Sequence, residues 1–201
     1  GVTVEKKISR MTCGGRQVDL IDLPGTYGLA PRTLDEMVAV NVLLGKQSDV
    51  SAPDVVVCIV DASNIERNLY LVSQILDMAL PTIVVLNMVD VAESRGIQID
   101  VAALSQRLKL PVVKTEAHRR RGLDELRETI VAVSETAPTH HLERPPIFPA
   151  AFAAECQQLA THLKSVGSAE TPYFLLERLL LDVGGYLEGH FVAGKEGQLS
   201  Q

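Results

Sequence analysis

Three short stretches place a carboxylate or a polar turn where a strand should end. The first is DLPG, Asp22 to Gly25. A carboxylate there can hold a hydrated Mg²⁺, and a loop glycine lets a backbone N–H approach a terminal phosphate that a side chain would block. Leu23 and Pro24 complete that turn. The competing reading is an Asp that merely ends a strand. The second stretch is NMVD, Asn87 to Asp90. The Asp90 carboxylate can accept two hydrogen bonds, from guanine N1 and from the exocyclic amine, a donor pair that adenine lacks. Asn87 can bond the purine edge or brace neighbouring loops. Met88 belongs to the same turn, and Val89 would offer a base only apolar surface. The third stretch is TEAHRRRG, Thr115 to Gly122. It is placed to give a backbone N–H to guanine O6, with Ala117 the first candidate and His118 the next. Arg119–Arg121 reads as a phosphate site or as a solvated turn before a helix, the turn being the commoner case.

These stretches need elements to hold them. Val2, Val4 and the residues up to Ile8 alternate with polar ones, as a strand does. TCGGRQ then supplies a Gly-Gly turn and VDLIDLP a partner strand, so a β-hairpin is expected. TLDEMVAVNVLLG reads as a helix capped by Thr33 and stopped at Gly45. DVVVCIVDA and PTIVVLNMVD are apolar, β-branched runs of the kind buried on both faces of a parallel sheet. NIERNLYLVSQILDMAL, DVAALSQRLKL (with Asp100 as N-cap) and GLDELRETIVAVSE have helical periodicity, and PVVKTEA is a third, shorter strand. Alternating strands and helices give an α/β fold with a doubly wound, mostly parallel sheet, and ligands bind such sheets at the carboxyl ends of the strands.

The alternation stops at TAPTHHLERPPIFP, a proline-rich linker. The expected organisation is a partial nucleotide-binding domain over 1–135, a linker over 136–149 and a helical domain over 150–201. In the last of these, Ala150–Ser165 and Pro172–Val183 read as helices. The net charge of −6 argues against general nucleic-acid binding, which needs a basic face. Cys13, Cys58 and Cys156 lie far apart, with no zinc or redox spacing, as in a reducing compartment. No apolar run reaches the roughly 18 residues of a membrane helix, so the chain as given is expected to be soluble. His140 and His141 adjoin in the linker without a metal-ligand pattern.

DxxG, NxxD and the TEA loop are weak signals singly. In this order, on successive strands of one sheet, they point to a GTP-binding G domain of the P-loop NTPase type. The sequence also resembles a particular family, the ferrous iron transport protein B (FeoB) family. GVTVEKK is similar to its first switch, DLPGTYGL to its second, LNMVD to its guanine motif, and VDASNIERNLYL is the most family-specific stretch. The similarity covers roughly Gly1–Glu135, and Arg144–Val183 resembles the family's helical domain.

The resemblance implies a GTP-binding and GTP-hydrolysing regulatory part of a bacterial ferrous iron transporter. In it, GTP turnover is coupled to Fe(II) uptake at the cytoplasmic face of the inner membrane. It implies GTP/GDP and Mg²⁺ as cofactors, with K⁺ in the intact family protein. The implied partners are the membrane transport domain of the same longer polypeptide and small Feo accessory proteins. Thr3 matches the switch threonine that contacts Mg²⁺ and the γ-phosphate, Asp22 the carboxylate that reaches Mg²⁺ through water, and Gly25 the γ-phosphate amide. Thr26 stands where Ras-like proteins carry a water-orienting Gln, which implies slow intrinsic hydrolysis.

A phosphate loop, GxxxxGK[ST], does not precede the first switch in these residues, and neither its lysine nor the family's cation-binding Asn of that loop is found. GHFVAGKE, Gly189 to Glu196, fits all but the last position, with no buried strand leading into it. The expectation is a fragment, a truncated product, or a fold in which the VDLIDLP and DVVVCIVDA strands close up directly. The alternative function is a degenerate G domain acting as a protein-interaction module without hydrolysis.

Overall fold

A computed structural model describes residues 7–26, 34–47, 50–135, 148–167, 171 and 173–181. Residues 1–6 of the first-switch stretch with Thr3, residues 27–29 of the second, Thr33, the linker core with its two histidines, and GHFVAGKE lie outside the described residues. The chain divides into two compact units, one formed by 1–29 and 35–142, the other by 30–34 and 143–201.

The first unit begins with the expected hairpin. Strands β1 (Lys7–Cys13) and β2 (Arg16–Asp22) pair antiparallel, with Cys13 opposite Arg16 and Lys7 opposite Asp22. Gly14 and Gly15 both take positive φ, +53° and +80°. That is the requirement of a two-residue turn whose twist matches the strands. β1 therefore runs five residues past Ile8, where the sequence reading ended it. Cross-strand pairing carries it: Arg10 Nε donates to Asp19 Oδ1 at 2.7 Å. The Arg10 hydrogen bond holds the half-exposed Asp19 carboxyl below its ordinary value.

Helix α1 (Leu34–Leu43) ends at Gly45, whose φ is +63° and whose N–H donates to Val42 O. The apolar runs then form a parallel sheet in the order β3 (Val56–Asp61), β4 (Thr82–Asn87) and β5 (Val112–Lys114). β4 is the central strand, and Thr82 through Leu86 are all buried. Its helices are α2 (Ile65–Leu76), α3 (Val89–Ser94), α4 (Val101–Leu108) and α5 (Leu123–Ser134). Leu126, Ile130 and Val133 of α5 pack on Ile83, Val85 and Val113. The amphipathic stripe of α5 thus closes one face of the sheet. As expected, Asp100 caps α4, accepting from Ala103 N–H at 2.9 Å.

β2 and β3 do not close up: they belong to separate sheets. Val56 N–H donates to Pro81 O, which turns alternate backbone groups toward β4. The groups of Val57 and Ile59 therefore face the outer edge, where no described strand pairs. Ile59 is 64% exposed in the middle of this otherwise buried strand. The hairpin is joined to the sheet through α5. A Cβ at Gly14 would stand 3.1 Å from Val131 Cγ2, and Arg16 donates to Glu135.

In the second unit α6 (Ala150–Ser165) and α7 (Tyr173–Leu181) fall where two helices were expected. Cys156 is fully buried on α6. Burial pushes its thiol up, partly offset by a hydrogen bond with Tyr173. Among the described residues, no helix is long and apolar enough to cross a membrane.

Candidate functional site

The carboxyl ends of β4 and β5 bring two of the three chemical stretches together. β4 ends at Asn87, and Met88 then takes a left-handed backbone, φ 60° and ψ 36°. This reversal starts α3 at once and sets Asp90 in its first turn. A short helix was not expected here, because six residues carry too little periodicity to read. Val89 turns inward and lines a small crevice with Leu86, Ala92 and Ile97. Met88, 39% exposed, is the apolar side chain at the surface of this turn. Of the two apolar side chains in the turn, Met88 rather than Val89 is therefore the one at the surface.

Asn87 joins the two strand ends. Its Oδ1 accepts from Ala117 N–H at 3.1 Å and from Thr115 Oγ1 at 3.3 Å. Thr115 is 3% exposed, and its own N–H donates to Leu86 O at 2.7 Å. Asn87 is thus the brace of the 115–122 loop, one of the two roles its side chain could take. Ala117 N–H is engaged by that brace.

The loop itself is an ion network. Glu116 and Arg121 form an antiparallel bridge. Glu116 accepts from Arg119 Nη1 at 3.0 Å and lies 3.5 Å from Arg121 Nη1. The arginine run is therefore held by its own glutamate, as a structured turn, and Glu116 is a residue that the sequence reading missed. Its pairing depends on a bridge across the loop, which spacing alone does not reveal. Arg120, at φ +57°, and Gly122, at φ +76°, complete the turn. A Cβ at Gly122 would lie 2.0 Å from Lys114 O. Only glycine lets the chain pass so close to β5.

Asp90 sits over this loop with its side chain 22% exposed. Oδ1 is buried and has no hydrogen-bond partner among the described residues. Oδ2 lies 3.4 Å from His118 Nε2 and 3.8 Å from Arg119 Nη1. A buried, unpartnered carboxylate oxygen is costly to maintain. The structure therefore brings Asn87, Met88, Asp90, Ala117 and His118 into one cluster.

On the β3 side a cleft of about 230 Å³ is lined by Ile59, Asp61, Asn64, Arg67, Asn87 and Met88, among others. Asp61 Oδ1 caps the turn after β3, accepting from Ser63 N–H at 2.8 Å. Asn64, at the N-cap position of α2, makes no side-chain cap bond; its carbonyl accepts from Asn68 Nδ2 instead. The cap in VDASN is therefore Asp61, and Asn64 is left to line the cleft. Arg95 Nη1 donates to Ser63 Oγ at 3.3 Å, tying this turn to the end of α3.

The DLPG stretch stands apart from that cluster. Asp22 is an exposed carboxylate closing β2, followed by Leu23, Pro24, Gly25 and Thr26 in an irregular segment. Nothing stands within 4 Å of where a Gly25 Cβ would be. No group of three or more His, Cys, Asp and Glu capable of holding a metal occurs among the described residues. One carboxylate nevertheless suits Mg²⁺, which keeps several waters and takes its remaining ligands from phosphates.

The family model described as ferrous iron transport protein B matches residues 1–130. The Fe(2+) transporter FeoB of Salmonella typhimurium is 45% identical over 134 residues, 65% of this chain and 17% of that protein. The Escherichia coli K12 transporter of the same name is 43% identical over the same length. The chain thus spans about a fifth of the length of the curated relatives it matches, at most 20%. Among solved structures, the cytosolic domain of T. maritima FeoB in its GMPPNP form superposes with a TM-score of 0.78 at 31% identity, covering 94% of this chain and 71% of that one. The M. jannaschii FeoB G domain gives a TM-score of 0.61 at 36% identity, over 66% of this chain and 81% of that one. These likenesses place the fold among P-loop NTPase G domains.

Proposed function

Because the chain belongs to the ferrous iron transport protein B family, we propose that it is the switch, guanine-reading and helical part of a GTP-dependent regulator of Fe(II) transport. The observation that carries the reading is Asp90 Oδ1, buried without a partner beside an oxygen facing two donor side chains. Guanine offers two adjacent donors, N1–H and the exocyclic amine, and a carboxylate accepts both; adenine offers no such pair. Met88 lies where it can cover one face of the base. Asn87 holds the loop of Ala117 and His118 at the base's O6 edge, where Ala117 N–H would pass from Asn87 to the ligand.

On the phosphate side, Asp22 is the outer partner of Mg²⁺ through water, and the Gly25 amide is the γ-phosphate donor. Mg²⁺, when bound, neutralises charge between the phosphates. Thr26 follows Gly25 in the place where a side chain would orient water, and Thr3 completes the switch. K⁺ would assist at the phosphate loop of the whole protein. The open edge of β3 supports the reading that a further strand and phosphate loop complete the sheet beside it. GTP turnover would then be passed through the helical unit to a membrane transport domain of the same polypeptide at the cytoplasmic face, with small accessory proteins as further partners.

Calorimetric titration of the intact protein with GDP and ADP in Mg²⁺ tests this. Binding of GDP at least a hundredfold tighter than ADP is expected. Equal affinities, or no binding of GDP, would refute the guanine reading and leave the interaction-module alternative.

A further inference from the structure

A guanine base brings two donors to Asp90, so it needs both carboxylate oxygens. Only one is open. Oδ1 is buried and unpartnered, while Oδ2 faces His118 Nε2 at 3.4 Å and Arg119 Nη1 at 3.8 Å. These two side chains come from the loop that must also offer its backbone to the base. They are held over Asp90 by construction. Arg119 is anchored by Glu116 at 3.0 Å, Glu116 is bridged to Arg121, and Ala117 is tied to Asn87. The charged or titratable groups that meet here are Asp90 from α3 and Glu116, His118, Arg119 and Arg121 from the loop.

We propose that His118 and Arg119 form a latch on Asp90 Oδ2 that occupies the guanine-reading carboxylate when no nucleotide is bound and opposes nucleotide capture. The inference rests on the guanine reading. It adds that the 115–122 loop competes with the ligand for the same oxygen, so that these side chains set how readily the site fills. Both are about half exposed, 58% and 52%, so they swing into solvent when displaced. Exposed ion pairs of this geometry are weak, so the latch moderates affinity rather than blocking the site.

The test is equilibrium binding and stopped-flow capture of fluorescent GDP by the intact protein. Four forms are compared: unaltered, His118→Gln, Arg119→Gln, and the double variant. The latch predicts about two- to fivefold tighter binding in the double variant, through faster capture. Arg121→Gln is the control for the loop's ion network: Arg121 Nη1 lies 3.5 Å from Glu116 and is not among the groups facing Asp90 Oδ2, so it should give a clearly smaller gain than the double variant. A second readout uses Asp90→Asn with fluorescent XDP. There the ion pair is already gone, so adding Arg119→Gln should change nothing. Unchanged or weaker GDP binding in the double variant overturns the latch, as does an equal gain in Arg121→Gln. Absence of GDP binding by the unaltered protein removes the guanine reading, and the latch with it. Binding that the variants leave unmoved removes the latch alone.

Discussion

Gly122→Ala is the most informative single substitution in the candidate site. Gly122 has φ +76°, and the added Cβ would lie 2.0 Å from Lys114 O. Left-handed backbone costs a non-glycine residue about 1–2 kcal/mol. The contact adds more, because carbon and carbonyl oxygen normally approach no closer than about 3.3 Å. The chain must therefore shift by more than about 1 Å at the end of β5. Such a shift breaks the Glu116–Arg121 bridge bonds of 3.2 and 3.3 Å and strains the Thr115-to-Leu86 bond of 2.7 Å. With about 0.5–1.5 kcal/mol for each of the two bonds lost, the total comes to roughly 2–5 kcal/mol. Gly96→Ala is the internal comparison. Gly96 has φ +75° but nothing within 4 Å of its Cβ position, so only the backbone term of about 1–2 kcal/mol applies. Urea unfolding of both variants, with the slopes checked for equality, reads the difference. A gap of about 1–3 kcal/mol is expected. Equal losses would show that the close approach to β5 is not real, and the placement of the 115–122 loop would fall with it.

Asp90→Asn should shift preference from guanine toward xanthine nucleotides, because it exchanges an acceptor for a donor; competition between GDP and XDP checks it, and a retained guanine preference would refute the assignment. Asn87→Ala should cost about 1–3 kcal/mol in urea unfolding by stripping the acceptor from Thr115 and Ala117, and should weaken GDP binding alongside. The Cys58 thiol, pushed up to about 12 from 9.0 by burial, gives a pH signature. Its folded-state value is raised, so the neutral thiol's contribution is fully present below pH 9 and is lost as pH rises from 9 through 12. The loss should be about 1.4 kcal/mol per pH unit in that window. Thermal unfolding from pH 8.5 to 10.5 should therefore fall more steeply in the unaltered chain than in Cys58→Ala; parallel slopes would place Cys58 in contact with water.

The strongest elements were legible because their chemistry is local. Continuous β-branched runs announced β3 and β4, since only strands buried on both faces tolerate them. Paired glycines announced the hairpin turn. What stayed hidden depends on pairings that no window contains. β1 extends through Cys13 because Arg10 meets Asp19 across the ribbon, a register effect. α3 exists because Met88 adopts a left-handed backbone, which propensity does not favour. Glu116 organises the arginine run only once the loop closes on itself. Asp61 caps VDASN through Ser63 N–H only because a tight turn intervenes before α2 and moves the start of the helix.

The site is unevenly supported, and the sheet explains why. The residues proposed to read the base sit at the ends of adjacent strands, β4 and β5, which pair in parallel and whose loops are cross-braced by Asn87. Of the residues proposed to face the phosphates, Asp22 closes a hairpin in another sheet and Gly25 follows it; that hairpin is joined to the first sheet through α5 by Gly14 against Val131 and by the Arg16–Glu135 pair. Loosening that joint therefore moves Asp22 and Gly25 without touching a bond that orders Asp90. Base selectivity and phosphate binding are accordingly separable in this fold. A substitution at Gly14 that pushes α5 and the hairpin apart should weaken the contribution of the phosphates to affinity while leaving the ratio of GDP to ADP affinities intact. Measuring both affinities in Gly14→Val decides the point. Loss of the ratio would mean that the hairpin helps shape the base pocket, and the division between the two halves of the site would not hold.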